Sequence, residues 1–341
     1  MSREPTDPHP APSFRIGTRE IAGRCLLAPM AGITDLPVRR LASRLGAPLV
    51  VSEMIAGEAL ANGEIEARLK AKRGDVSPHA VQIAGCTADA MATAARIAEA
   101  TGADIIDINM GCPAKRVVNG WAGSALMREP DHALSLIEAV VAAVKVPVTV
   151  KMRLGWDDDS RNAPDLARRA EAAGVAMVTV HGRTRCQFYK GAADWDAIAA
   201  VKAVVSIPVV ANGDLTDVAD APAMLARSGA DAVMVGRGAQ GRPWLPGDVA
   251  HFLATGERRP EPTAPERRDM LLAQYEEMLS LYGRALGIRV ARKHIGWSFD
   301  AWPRSGAPAL RKTALTSEDP AMVMRLIAAW FDDAAETRVA A

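Results

Sequence analysis

Between Leu26 and Gly236 the chain repeats one theme eight times: a short apolar, β-branched run, a polar or glycine-bearing loop, then an alanine-rich stretch at helical spacing. The strand candidates are residues 26–28, 49–52, 80–83, 105–109, 146–151, 177–181, 208–212 and 232–236. Helical spacing fills intervals such as 88–100, 131–144, 163–172, 195–204 and 218–228. Strands that are apolar along their whole length are buried on both faces, so their alternation with helices predicts a parallel sheet covered by helices. Eight such units are the number that closes a barrel. The expected fold is α/β, a (β/α)8 TIM barrel followed by a small C-terminal helical domain.

An open doubly wound sheet is the competing architecture, and Gly236-Arg-Gly-Ala-Gln-Gly241 does match its G-x-G-x-x-G turn. The match follows the last strand, however, with no strand left to complete a βαβ unit. It reads better as a phosphate cradle, with Pro243 opening a helix whose free N–H groups face the anion. The expected boundaries are a disordered tail over 1–13, the barrel over 14–254, a charged, proline-bearing linker over 255–265 and the helical domain over 266–336. In the last of these, Met270, Leu271, Gln274, Tyr275, Met278, Leu281 and Tyr282 keep helical spacing until Gly283 interrupts it.

Composition excludes several classes. A formal charge of +1 over 341 residues gives no global pull toward nucleic acid or membrane, so such partners must be read from local clusters. No apolar run approaches a membrane span. Cys25, Cys86, Cys112 and Cys186 are scattered without ligand spacing, which argues against a metal site or a disulfide scaffold and for a reducing cytoplasm.

In such a barrel, chemistry gathers where strands end. Here the ends read Pro29-Met30-Ala31, Ser52-Glu53-Met54, Gln82, Asn109 to Cys112, Lys151-Met152-Arg153, His181-Gly182-Arg183, Asn212-Gly213-Asp214 and Gly236-Arg237. Nearly every strand delivers a polar or cationic group to one rim. The last two loops fall where barrels of this class bind phosphate, and Arg237 adds a bidentate cation. Cys112, between Gly111 and Pro113, is either a small buried hydrophobe or a thiol held at a strand mouth. Three roles compete for Lys151: a Schiff-base amine, a cation facing an electron-rich ring, or a solvated strand-end lysine. His181, at the same rim, is a candidate ligand or proton donor. In the tail, Arg284, Arg289, Arg292, Lys293, Arg304, Arg311 and Lys312 face the single acid Asp300. Arg289, Arg292 and Lys293 share one helical face, suited to phosphate contacts, while Ile288, Ala291 and Ile295 are left for the core side.

The motifs Ala28-Pro-Met-Ala-Gly-Ile-Thr-Asp35, Gln82-Ile-Ala-Gly85, Asp107-Ile-Asn-Met-Gly-Cys-Pro-Ala-Lys115, Lys151-Met-Arg-Leu-Gly-Trp156, His181-Gly-Arg-Thr-Arg185, Ala211-Asn-Gly-Asp214 and Gly236-Arg-Gly-Ala-Gln-Gly-Arg-Pro-Trp244 stand in order along the chain. Together they resemble the tRNA-dihydrouridine synthase family, most closely its bacterial DusB type. Arg292-Lys-His-Ile-Gly-Trp297 is similar to that family's C-terminal helical domain. Ser298 and the uncharged stretch from Val117 to Trp121 depart from the pattern.

The resemblance implies reduction of the C5=C6 bond of tRNA uridines in the D-loop, with FMN as cofactor and NADPH as reductant; no metal and a monomeric enzyme are expected beside it, though the sequence does not fix the oligomeric state. The resemblance also implies that Pro29, Met30 and Ala31 lie along the flavin, that Gln82 and Lys151 meet its pyrimidine end, and that His181 sits near it. Asn212, Gly213, Asp214, Gly236 and Arg237 would hold the ribityl phosphate. Asn109 would bond the extruded uracil and Cys112 would be the general acid, with Arg153, Arg183, Arg289, Arg292 and Lys293 as further substrate contacts. A thiol of ordinary pKa, about 8.5, is protonated enough near neutrality to act in that way. The alternatives are a flavin reductase of a free pyrimidine, which would not need the basic arm, and a non-catalytic RNA-binding barrel, which would not need the polar rim.

Overall fold

The computed structural model describes residues 13–339, with side chains up to residue 332; the expected tail over 1–13 falls almost wholly outside them. Eight parallel strands form the barrel: β1 (Cys25–Leu27), β2 (Leu49–Val51), β3 (His79–Ala84), β4 (Ile105–Met110), β5 (Val148–Arg153), β6 (Met177–His181), β7 (Val209–Asn212) and β8 (Ala232–Val235). Each pairs with the next, and β8 pairs with β1, so the sheet closes without an edge. Helices lie between the strands, and two of them, Ala88–Ala100 and Ala163–Ala172, fall where their spacing predicts. The strand expected from residue 146 starts later, at Val148, because Pro147 has no N–H for the ladder and offers only its carbonyl to Ile106.

Strand alternation explains the site. Leu26, Leu49, Ala80, Ile105, Met177, Val210 and Ala232 point inward and form an apolar floor, sealed from below by Ile16 and Ile21 of an N-terminal hairpin (Phe14–Ile16 and Arg19–Ile21). With a period of two, the inward residues one and two layers higher are Gln82, Asp107, Asn109, Thr149, Lys151, Thr179, His181 and Asn212. One interior is thus apolar at the bottom and polar at the mouth. The outward residues, among them Val81, Ile106, Val150 and Val180, pack under the helical layer.

The C-terminal helices are Ala264–Ala301, Pro308–Thr316 and Pro320–Val339. Thr263 and Glu266 form a reciprocal capping box at the first. Gly283 breaks that run with φ 74° and ψ 168°, as the sequence predicts. Leu271, Met278, Ile288, Ala291, Ile295 and Phe299 share a core with Leu27, Leu36, Val38 and Val50 of the barrel, so the helices are docked on it rather than tethered.

The junction carries a buried acid. Asp35 caps the helix Leu36–Arg44 by accepting from the Val38 amide (3.2 Å), and its other oxygen accepts from the Tyr282 hydroxyl (3.1 Å). Glu53, in the same pocket, takes the Gly32 amide of the loop after β1 (2.5 Å). Burial pushes the Asp35 carboxyl up to about 7; the Val38 amide opposes this and the Glu53 charge adds to it. The folded protein therefore keeps this proton up to about pH 7, whereas the unfolded chain sheds it near 4. Its contribution to stability is complete in acid and is lost as pH rises through that window. Asp35→Asn keeps the cap oxygen without the charge. It is expected to melt above the wild type at about pH 8 and level with it at about pH 4, a difference read by thermal denaturation at both values.

Candidate active site

Two adjoining cavities occupy the barrel mouth. One, of about 300 Å³, is lined by Ala28, Lys151, His181, Asn212, Gly213, Asp214, Gly236, Arg237 and Arg242. The other, of about 440 Å³, is lined by Ala31, Gln82, Asn109, Cys112, Lys151, Arg153 and Phe188. Pro29, Met30, His181, Tyr189, Arg237 and Gln240 border both.

A buried relay fixes the second cavity. Asp107 accepts from the Thr149 hydroxyl (2.5 Å) and from Gln82 Nε2 (2.7 Å). Gln82 Oε1 in turn accepts from Asn109 Nδ2 (2.8 Å), and Asn109 Oδ1 accepts from the amides of Gly111 (3.2 Å) and Cys112 (3.0 Å). Because a carboxylate only accepts, it decides which end of Gln82 faces it, and each later group follows. Asp107 thereby orients the backbone of Cys112, five residues along the chain. Burial pushes its carboxyl up to about 6, while the bonds from Thr149 and Gln82 pull the other way. Asp107→Ala leaves the Gln82 amide without its buried acceptor and is expected to cost about 1–3 kcal/mol of stability, whereas Asp107→Asn, which keeps an acceptor, should stay near the wild type. Thermal denaturation of the two variants checks this.

Lys151 donates to Asn212 Oδ1 (3.1 Å), and Asn212 Nδ2 donates to the Met234 carbonyl (2.9 Å). Burial, with Arg153 alongside, brings the Lys151 ammonium down to about 8; Asp107 and Cys112 act in the opposite sense. His181 Nε2 lies 3.3 Å from Arg183 Nη1. A guanidinium only donates, so Nε2 accepts and the imidazole is the neutral Nδ1–H form. Burial and the four cations Lys151, Arg153, Arg183 and Arg237 hold its pKa well below the usual value.

Arg153 and Arg183, expected on the substrate side, are each only 1% exposed. Arg153 donates to the carbonyls of Gly111, Thr184 and Phe188, tying the loops after β4 and β6 together. Arg183 holds Asp214 through two bonds (2.9 and 2.5 Å) and reaches the Lys190 and Gly191 carbonyls. Asp214 also meets Arg237 (3.3 Å), which leaves that guanidinium half-exposed at the first cavity. Both buried arginines are braces of the rim.

The glycines of residues 236–241 divide their work. A Cβ on Gly236, which lines the first cavity, would meet nothing nearer than Ala28 Cβ at 3.8 Å, so the backbone there is open on that side. Gly241 (φ 70°) serves packing instead, since a Cβ there would lie 2.2 Å from the Trp297 carbonyl oxygen. Pro243 does not open the following helix, which begins at Leu245 with Pro246 in its first turn. The tight turn from Ala239 to Arg242 places Pro243 before the helix rather than in it.

In the helical domain Ile288, Ala291 and Ile295 are buried and Arg289 is exposed, the faces the spacing predicts. The basic stripe is narrower than its composition. Arg284 and Arg292 donate to the Glu318 and Thr316 carbonyls, and Arg311 pairs with Asp300. Lys293 reaches the barrel, its Nζ 3.2 Å from where a Cβ on Gly32 would sit. Phe299 stacks on Trp330 at 4.0 Å and belongs to the core. Spacing gave no sign of Tyr189, which borders both cavities and lies under Arg237 (4.5 Å) and Arg153 (5.4 Å). It stands mid-loop, and only its neighbours Arg183 and Arg185 marked the region.

Among the described residues no cluster of His, Cys, Asp or Glu could hold a metal ion, and no helix is long and apolar enough to cross a membrane. All four cysteines are free. Fold and rim together define a (β/α)8-barrel enzyme with a cationic mouth.

Comparison with known proteins sharpens this. The model of the family described as "Dihydrouridine synthase (Dus)" matches residues 26–334. A protein of Rhodobacter capsulatus described as a probable tRNA-dihydrouridine synthase is 57% identical over 311 residues, 90% of this chain and 94% of its own. Its counterpart in Rhizobium leguminosarum is 54% identical over 300 residues, 88% and 92% of the two chains. The tRNA-dihydrouridine synthase B of Xanthomonas axonopodis is 48% identical over 320 residues, 94% and 96%. The chain belongs to the dihydrouridine synthase family, the one its motifs resemble. Solved structures show the same fold at low identity. A 2-naphthoyl-CoA reductase superposes with TM-score 0.56 at 14% identity, over 71% of this chain but about half (52%) of its own length. Morphinone reductase in complex with tetrahydroNAD gives 0.51 at 16%, over 76% and 94%.

Proposed function

We propose that this protein reduces the C5=C6 bond of D-loop uridines in tRNA, with FMN as its cofactor and NADPH as the reductant. The observation that carries the reading is the meeting of Cys112, Asn109, Gln82 and Lys151 in one cavity, contiguous with the Gly236–Arg237 cradle. The residues present fit FMN: an open glycine and Arg237 for the phosphate, Pro29, Met30 and Ala31 for the ring, and Lys151 and Gln82 for its polar end. Bound there, FMN supplies the hydride that goes to C6, and NADPH recharges it.

The chain does the rest. Lys151 supplies a cation where negative charge gathers, with Asn212 holding its Nζ. The remaining N–H of Asn109 is free for the uracil edge, since its other N–H and its oxygen are engaged. Cys112 gives the proton from Sγ to C5 as the bond saturates, and is reprotonated from solvent. The uridine must leave its stack to reach this depth. Arg289 and Lys293, on the helical domain, take phosphates, Arg292 serves mainly to anchor Thr316, and the enzyme works in the cytoplasm as a monomer.

Purified protein is expected to carry FMN and to form dihydrouridine on tRNA from cells lacking the gene, with mass mapping locating the site. Turnover of free uracil or dihydroorotate without tRNA activity would replace this reading with that of a free-pyrimidine reductase. Colourless protein that shifts tRNA in a salt-dependent way would make it a binding protein.

A further inference from the structure

Beside the mouth lies a further hollow, of about 420 Å³, lined by Val118, Asn119, Trp121, Arg128, Trp156 and Arg185. Its walls alternate rings and guanidinium planes. The Arg128 guanidinium carbon is 4.8 Å from the Trp121 ring centre and 4.3 Å from that of Trp156; Arg185 is 4.5 Å from Trp156 and 4.7 Å from Phe188. The ladder is thus Trp121, Arg128, Trp156, Arg185, Phe188, drawn from the loops after β4, β5 and β6. Phe188, its inner rung, also lines the cavity of Cys112.

Three features set it apart from ordinary surface. Trp121 is 51% exposed and sits at φ 54°, a left-handed conformation costly for a bulky residue, so an apolar ring is held out into solvent at the expense of backbone strain. Arg185 Nε is buried without a hydrogen-bond partner, and among the described residues neither Arg128 nor Arg185 pairs with a carboxylate. In the loop that carries Trp156, Asp157 bonds Ser160 and Asp158 pairs with Arg161. The frame is also firm: the Arg185 and Cys186 amides bond the Gly155 and Trp156 carbonyls, and Ser124 bonds the Cys112 carbonyl.

An exposed ring and two half-buried ones, interleaved with guanidinium planes that pair with no carboxylate among the described residues, suit nucleobases, which stack on either surface whatever their identity. We propose that this ladder is a stacking platform for the nucleotide adjoining the target uridine, replacing the stacking lost when the target leaves the RNA. The proposal rests on the tRNA reading above, because it needs the target base to enter beside Phe188.

The test uses the flavin-loaded full chain and a tRNA carrying 2-aminopurine next to the mapped uridine. Binding to the wild type should quench the probe. Trp121→Ala should abolish that quench and raise KM for tRNA by about tenfold, in the range of one lost base–aromatic stack. Flavin reduction by NADPH and kcat at saturating tRNA should not change, and Trp121→Phe should restore both quench and KM. Quench and KM in Trp121→Ala equal to those of an active wild type overturn the platform and leave the tRNA reading standing. A wild type that reduces free uracil but no tRNA overturns both.

Discussion

Cys112→Ala is expected to slow dihydrouridine formation on tRNA by about 100-fold or more, the usual worth of a positioned acid, with the flavin absorbance unaltered. The expectation is specific because the loop does not depend on the thiol. Its backbone is fixed by Asn109 Oδ1 at the Cys112 amide and by Ser124 at the Cys112 carbonyl, and neither bond involves Sγ. Single-turnover reduction of tRNA by pre-reduced enzyme reads the step directly. A rate equal to that of the wild type would remove the acid role from Cys112 while leaving the family assignment untouched.

Asp214→Ala should damage fold and cofactor site together. It strands the buried Arg183 guanidinium, and losing one partner of such a pair costs about 3 kcal/mol, the low end of the usual range because the carboxylate is partly solvated. Arg237 loses its anchor at the same stroke. Lower thermal stability and weaker flavin binding should appear together in Asp214→Ala. Adding Arg183→Met removes the stranded charge and should return much of the stability but none of the flavin affinity. Recovery of both would mean that Asp214 acts on the flavin only through the stability of the loop.

The barrel was legible because each strand is a short apolar run closed by a rim residue, and counting runs needs no knowledge of contacts. Side-chain alternation then put Gln82, Asn109, Lys151, His181 and Asn212 at one mouth. Direction was not legible. Arg153 and Arg183 follow strand ends as Arg237 does, yet two guanidiniums turn into the wall toward carbonyls from loops up to 42 residues away and one turns out. Hydrogen bonds between distant loops leave no local period. The relay from Thr149 to Cys112 was hidden for the same reason, and so was the narrowing of the basic stripe, whose arginines reach the carbonyls of Thr316 and Glu318 at and just past the end of the helix Pro308–Thr316. Pro243 misled because a proline before a helix and one inside its first turn look alike until the turn is seen.

Because Ile288, Ile295 and Phe299 share a hydrophobic core with Leu27 and Val50, and Lys293 abuts the loop at Gly32, the basic helix cannot swing independently of the catalytic opening. Any RNA gripped by Arg289 and Lys293 meets the opening at a set span, as on a caliper whose jaws are locked. On the proposed tRNA reading, choice among uridines would become a matter of ribose-to-ribose distance along a folded RNA rather than of reading its letters.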